Sequence, residues 1–142
     1  MLIAISLLIL AYMIMGKDVS KLLEKVKDVD WRGKITALMD KLRPWALKAG
    51  RVAARPLLQF YYVMDDDSTS TLDRVLIYAA IVYVIIPMDF LPRAVFKFLG
   101  VLDDGVAMLY VSKKIKNRFT PAINAKVEDT LNEWFGVEYE LV

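Results

Sequence analysis

Three carboxylates stand in one of the most apolar stretches of this 142-residue chain. The run VLIYAAIVYVIIPMDFLPRAVFKFLGVLDDGVAML, residues 75–109, opens with twelve consecutive apolar residues and then admits Asp89, Asp103 and Asp104. Carboxylates are rarely left among apolar neighbours unless they are paired or hydrogen-bonded. Two kinds of chemistry would account for them. In the first they are structural. Asp103 or Asp104, directly before GVAMLYVSKKIK, accepts hydrogen bonds from the free N–H groups of that helix's first turn, at the positive end of its dipole. Asp89 does the same for backbone N–H groups in the turn after Pro87. In the second they are functional: a helical hairpin brings Asp89 beside the start of the next helix and the three acids share one site. Like charges that close raise one another's pKa, or hold a divalent cation through oxygen ligands. The structural use needs the fewest assumptions and is preferred, because the spacing is not that of an EF-hand.

The rest of the composition limits what else such a site could do. The chain contains no cysteine and no histidine. Disulfides, thiol chemistry, Ser-His-Asp and Cys-His arrangements and nearly all zinc or iron sites are therefore excluded. No cofactor is expected, and any metal would be a hard cation bound by oxygen. Hydrophobic residues make up 57% of the chain, against roughly 45–50% in an ordinary soluble domain. That excess favours association with a membrane or an unusually buried interior. Net charge is only +2, yet the charge is segregated. Residues 17–55 hold eleven Lys/Arg against five Asp/Glu, and residues 56–92 hold five Asp against one Arg. A basic segment after an apolar N-terminus suits a juxtamembrane region facing anionic lipid. The same charges would also serve simply to solvate helix faces.

Four segments are expected to position the acids. Residues 1–16, MLIAISLLILAYMIMG, form an apolar helix with Leu2, Ile3, Leu7, Leu8, Ile9 and Leu10 as the residues that would enter lipid. At roughly 22 Å it is short of the roughly 30 Å hydrocarbon core. It is read as a membrane anchor, with burial in the protein's own core or in a partner as the alternative. If it spans, the lysines after it place the body of the protein on the cytoplasmic side. Residues 17–64 carry amphipathic patterns, Val19, Leu22, Leu23, Val26 and Val29, then Trp31, Ile35, Leu38, Met39 and Leu42. Pro44 and Pro56 are expected in the first turns of two further helices. Tyr61 and Tyr62 fit either a core or a headgroup layer. The acidic stretch at 65–70 reads as a loop and a hinge or subdomain boundary. In residues 71–142, Ser70 and Asp73 resemble a capping box for a helix over 71–86, apolar all round beyond Arg74 and ended by Pro87. A second helix is expected over 104–118, ending in KKIKNR. A last helix begins at Thr120-Pro121, stops at Gly136, and carries Ile123, Val127, Leu131 and Trp134 on one stripe. No strand is required. The expected fold class is all-α, a compact bundle containing a Pro–Asp helical hairpin.

The run YAAIVYVIIPMDFLP followed by LGVLDDGVAML resembles the YkvA-like family, a small helical domain of unknown function. Pro87, Asp89, Leu91, Pro92, Gly100, Asp103 and Asp104 fall on its pattern. Arg93 stands where the family has a third acid, Phe96 where a second proline is usual, and the interval from Pro87 to the Asp pair is one residue longer. The resemblance covers roughly residues 72–116. It implies a bacterial membrane-associated protein and brings no reaction. Arg93 in place of an acid removes one oxygen ligand from any cation site, and can instead pair with Asp89 or Asp103.

The expected function is that of a membrane-associated helical module, structural or interacting rather than catalytic. Its partners would be the lipid bilayer and itself or another membrane protein, with no nucleic acid, since the basic segment is diluted by acids and has no recognition module. Two other classes stand beside it: an oxygen-ligand metal-binding or hydrolytic protein using the Asp cluster, and a pore-forming, holin-like protein. The structural reading of the acids makes a prediction. Asp89→Ala or Asp104→Ala should lower the thermal midpoint by the equivalent of about 0.5–2 kcal/mol, the cost of a lost cap. Unchanged melting of both variants with loss of a cellular phenotype would favour the functional reading.

Overall fold

A helix that is apolar on every side has to be surrounded on every side. The segment Thr71–Ile85 is such a helix, and the architecture follows from covering it. The computed structural model describes residues 2–85 and 104–136. Over these the chain forms α1 (Leu2–Ile14), α2 (Ser20–Glu24), α3 (Trp31–Ala49), α4 (Arg51–Asp65), α5 (Thr71–Ile85), α6 (Asp104–Ile115) and α7 (Pro121–Phe135), with a turn of 3-10 helix at Lys116–Arg118. There is no strand among the described residues. The fold is an all-α bundle around one continuous core.

Eight successive residues of α5, Val75 to Val82, are buried. Helices α1, α4 and α6 all pack against it. Leu7, Ile9 and Leu10 of α1 are at most 1% exposed, Ile3 and Leu8 are half-buried, and even Ser6 is enclosed. Each buried Leu or Ile is worth about 1.5–3 kcal/mol relative to leaving it in water. Five of the six residues expected to enter lipid, all but Leu2, whose side chain lies outside the description, are thus spent on the protein's interior. Helix α1 has 13 residues, and among the described residues no helix is long and apolar enough to cross a membrane. A spanning anchor finds no support in this fold. The alternative, burial in the protein's own core, is what α1 does.

The two prolines also sit elsewhere than expected. Pro44 lies inside α3 and Pro56 inside α4. Both are exposed, so the carbonyl each leaves without an N–H partner is on the solvent side, where water can take it. Meanwhile the apolar stripe Trp31, Ile35, Leu38, Leu42, Ala46 runs unbroken past Pro44 and keeps α3 together. The real break is Gly50, with φ at 100°, a backbone region that glycine enters without the steric cost of a Cβ. Helix α2 is shorter than its pattern suggested. It stops at Glu24, and Val26 and Val29 pack from the turn that follows rather than from a helix.

The expected caps are in place. Ser70 Oγ accepts from Asp73 N at 3.2 Å and Thr120 Oγ1 from Ile123 N at 3.2 Å. Asp30, which had not been singled out, caps α3 through Gly33 N at 3.3 Å. Gly136 closes α7 with φ at 81°. Of the 65–70 stretch, Asp65 ends α4 and 66–70 form the loop, and α4 and α5 pack on each other across it within the same core. Because α1 is a core element, Leu10→Ala should cost about 2–5 kcal/mol in a denaturant melt of the whole protein. A helix lying in lipid would leave that melt unchanged.

Candidate functional site

Of the residues singled out in the sequence, Pro87, Asp89, Pro92, Arg93, Gly100 and Asp103 lie outside the described residues. Asp104 is the first residue of α6; its side chain lies outside the description, and so does the capping role expected of it or of Asp103. The helices on either side of the motif are in contact, α5 with α6. Val111 and Ile115 of α6 are buried in the common core.

The described charges gather instead around α4. At its start, Arg51 reaches the end of α7. Its guanidinium donates to the carbonyls of Leu131 (3.4 Å) and Gly136 (3.2 Å) and to Asn132 Oδ1 (2.8 Å). Of these, the Gly136 carbonyl lies past the last helical residue, where no N–H of α7 reaches it. Glu128 receives Arg55 in an ion pair and lies 3.6 Å from Arg51. Further along, the Tyr62 hydroxyl donates to Thr130 Oγ1, whose own proton goes to the Lys126 carbonyl at 3.0 Å. Sequence reasoning missed this latch. Its only signal was a threonine interrupting the apolar stripe of α7.

At the other end of α4 the acidic loop is tied down. Asp66 accepts from Ser68 N and Ser68 Oγ, both at 3.0 Å. Those two bonds, the backbone one first, hold its carboxyl below the usual carboxylate range. Arg74 donates to the carbonyls of Met64 (2.9 Å) and Asp66 (3.0 Å), and Arg118 to Ser68 Oγ (2.9 Å) and Ser68 O (3.2 Å). A cleft of about 580 Å³ opens beside this loop, lined by Asp65, Asp66 and Asp67 together with Trp31, Arg32 and Lys126. A second cleft of about 470 Å³, with Met39, Asp40, Arg43, Tyr62 and Trp134 in its walls, lies further along α3 and α7.

Among the described residues no three acids are placed to hold a metal ion. The cations Arg32 and Lys126 share the first cleft with its aspartates. Buried Tyr61 is no base either: burial, then the nearby Asp65 carboxylate, push its phenol up to about 12.

Residues 73–110 match the sequence model of a family described as a protein of unknown function, DUF1232. The match runs from the first turn of α5 to Tyr110 in α6 and so includes Asp89, Asp103 and Asp104. It brings no activity. No curated protein and no solved structure matches the chain.

The exterior is a different matter. Lys17, Lys21, Lys25, Lys27, Arg32, Lys34, Lys41, Arg43 and Lys48 are all exposed. Among the described residues, none of them is in an ion pair. Lys17 lies over the Tyr12 ring at 5.7 Å.

The raised Tyr61 phenol has a measurable consequence. Below its ordinary pKa of about 10 the group is protonated folded and unfolded, so its contribution to stability is complete. As pH climbs from there towards about 12, the unfolded chain ionises first and stability falls. Melting midpoints across this window should drop less steeply for Tyr61→Phe than for the parent protein. Parallel curves would show that Tyr61 is not desolvated as described.

Proposed function

We propose that this chain is a non-enzymatic helical module that docks on the surface of an anionic membrane. The observation that carries the reading is the set of nine exposed cations between Lys17 and Lys48, none of which makes an ion pair among the described residues. Exposed cations outside ion pairs can meet an external anion, each worth about 1 kcal/mol close to an anionic bilayer. With α1 committed to the core, the contact is made by this surface and not by an inserted helix. Five acids lie in the same segment. They weaken the field without cancelling it, because like-charged lysines still outnumber them.

The YkvA-like resemblance over residues 72–116 supports the same reading, since it implies membrane-associated proteins. The absence of histidine and cysteine from the chain supports a role other than catalysis. An anionic inner leaflet as target would put the protein on the cytoplasmic face. Contacts with itself or with another membrane protein are compatible with the two clefts along α3 and α7.

Sedimentation with vesicles tests this. The full chain should pellet with phosphatidylglycerol-containing vesicles, and not with pure phosphatidylcholine, at about 0.15 M salt, where the screening length is about 8 Å. It should be released at about 1 M, where that length is about 3 Å. Failure to bind anionic vesicles even in low salt would remove the proposal.

A further inference from the structure

The nine cations are not spread evenly over the surface. Helix α3 buries Trp31, Ile35, Leu38, Leu42 and Ala46 along one side. Lys34, Lys41 and Lys48 follow at intervals of seven residues, which on a helix of 3.6 residues per turn return to nearly the same side. All three are exposed, and so is Ala37, which falls between the first two on that side. Half-buried Trp45 borders the row where it meets the core. Successive lysines are about 10 Å apart along the axis, so the row extends about 20 Å. The one acid of α3, Asp40, is about a quarter-turn or more away from the row. It lines the cleft towards α7, as does Arg43, while Arg32 lines the other cleft. The lysine row therefore lies on the flank of α3 away from α7.

We propose that this row is the docking face, and that its occupant is the anionic headgroup layer of a bilayer, with α3 lying along the surface. The inference rests on the surface-docking reading above and names the residues that carry it. Three chemical features fit a lipid surface better than the phosphate backbone of a nucleic acid. The row contains only lysines, compact point charges without the fork that matches base edges or phosphates bidentately. It carries no Asn, Gln or Arg to read a base. Its one aromatic residue is packed at the margin with most of its surface covered, as at a membrane interface, and offers no free face for base stacking. The flexible stems of the lysines can lie along apolar surface while their ammonium groups reach the headgroups.

The chain's lack of cysteine allows a label to be placed on either side of α3 without ambiguity. An environment-sensitive fluorophore would be attached to Ala37→Cys, beside the row, or to its neighbour Thr36→Cys, exposed about a quarter-turn further round. On adding phosphatidylglycerol vesicles, emission should shift to the blue at position 37 and stay put at position 36. The combined variant Lys34→Gln, Lys41→Gln, Lys48→Gln should partition roughly 100-fold more weakly, about fivefold per lysine. Removing the same charge with Lys21→Gln, Lys25→Gln, Lys27→Gln should cost less than about tenfold. Melting curves establish that both variants are folded.

Equal losses in the two variants, or a blue shift at position 36 alone or at neither position while the parent protein binds, would overturn the lysine row and leave surface docking standing. Failure of the parent protein to bind vesicles removes both. Displacement from the vesicles by equimolar duplex DNA would also overturn the assignment of the row to lipid.

Discussion

The structure depends on hiding α5. Val75 to Val82 leave no side of that helix able to face water, so helices must be found to cover all of it. The chain supplies one, α1, that is more apolar still, and the two satisfy each other. The hydrophobic effect is non-directional and does not by itself distinguish a protein interior from a bilayer. Length does. A 13-residue helix extends about 20 Å, well short of a hydrocarbon core of about 30 Å. Packed on α5, by contrast, its buried side chains find cover along its length, and its backbone polar groups are paired within the helix. Composition gave α1 two possible solvents and geometry left the nearer one.

Once α1, α4 and α6 enclose α5, the other helices have to be held on by less apolar means. Helix α7 shows how. Ile123, Val127 and Leu131 give it a stripe, but its seat on α4 is set by polar groups: Arg51 on its terminal carbonyls, Arg55 on Glu128, Tyr62 on Thr130. A buried hydroxyl such as Thr130 is costly if unpaired and specific if paired. These contacts fix the rotation of α7 about its own axis, something an aliphatic stripe alone does loosely. The two clefts along α3 and α7 are what remains where these helices do not close over α4.

Much of this could be read from the sequence, because local rules governed it. Ser70, Thr120-Pro121 and Gly136 mark helix ends through hydrogen-bonding and backbone chemistry that acts over three or four residues. What failed did so for non-local reasons. The first-turn preference of proline is a statement about missing N–H groups, and an exposed carbonyl at Asp40 or Val52 removes the difficulty just as well. The break at Gly50 needed only the observation that a positive φ comes most cheaply to glycine. The lysine row was present as a seven-residue spacing, but was hidden by summing charge over residues 17–55 instead of sorting it by helix face. Arg51 at the end of α7 could not be foreseen, since the two are 80 residues apart in sequence. The aspartate motif lies outside the described residues, apart from the backbone of Asp104, the first residue of α6.

The charges of α4 show most clearly why sequence-local electrostatics has to give way to packing. The helix begins with Arg51 and Arg55 and ends at Asp65, Asp66 and Asp67, the reverse of what its own dipole favours. Taken alone, that pattern is destabilising. In the bundle, α3 and α7 run opposite to α4. The three aspartates share a cleft with Trp31 and Arg32 at the start of α3 and with Thr120 and Ala122 at the start of α7, while Arg51 sits on the carbonyl end of α7. Each interaction of a charge with a helix end is worth about 0.3–1 kcal/mol at the surface, so one unfavourable dipole is set against two favourable ones. The acidic loop thereby has a structural use at the starts of two helices. The charges at the two ends of α4 thus answer to neighbouring helices rather than to the helix that carries them.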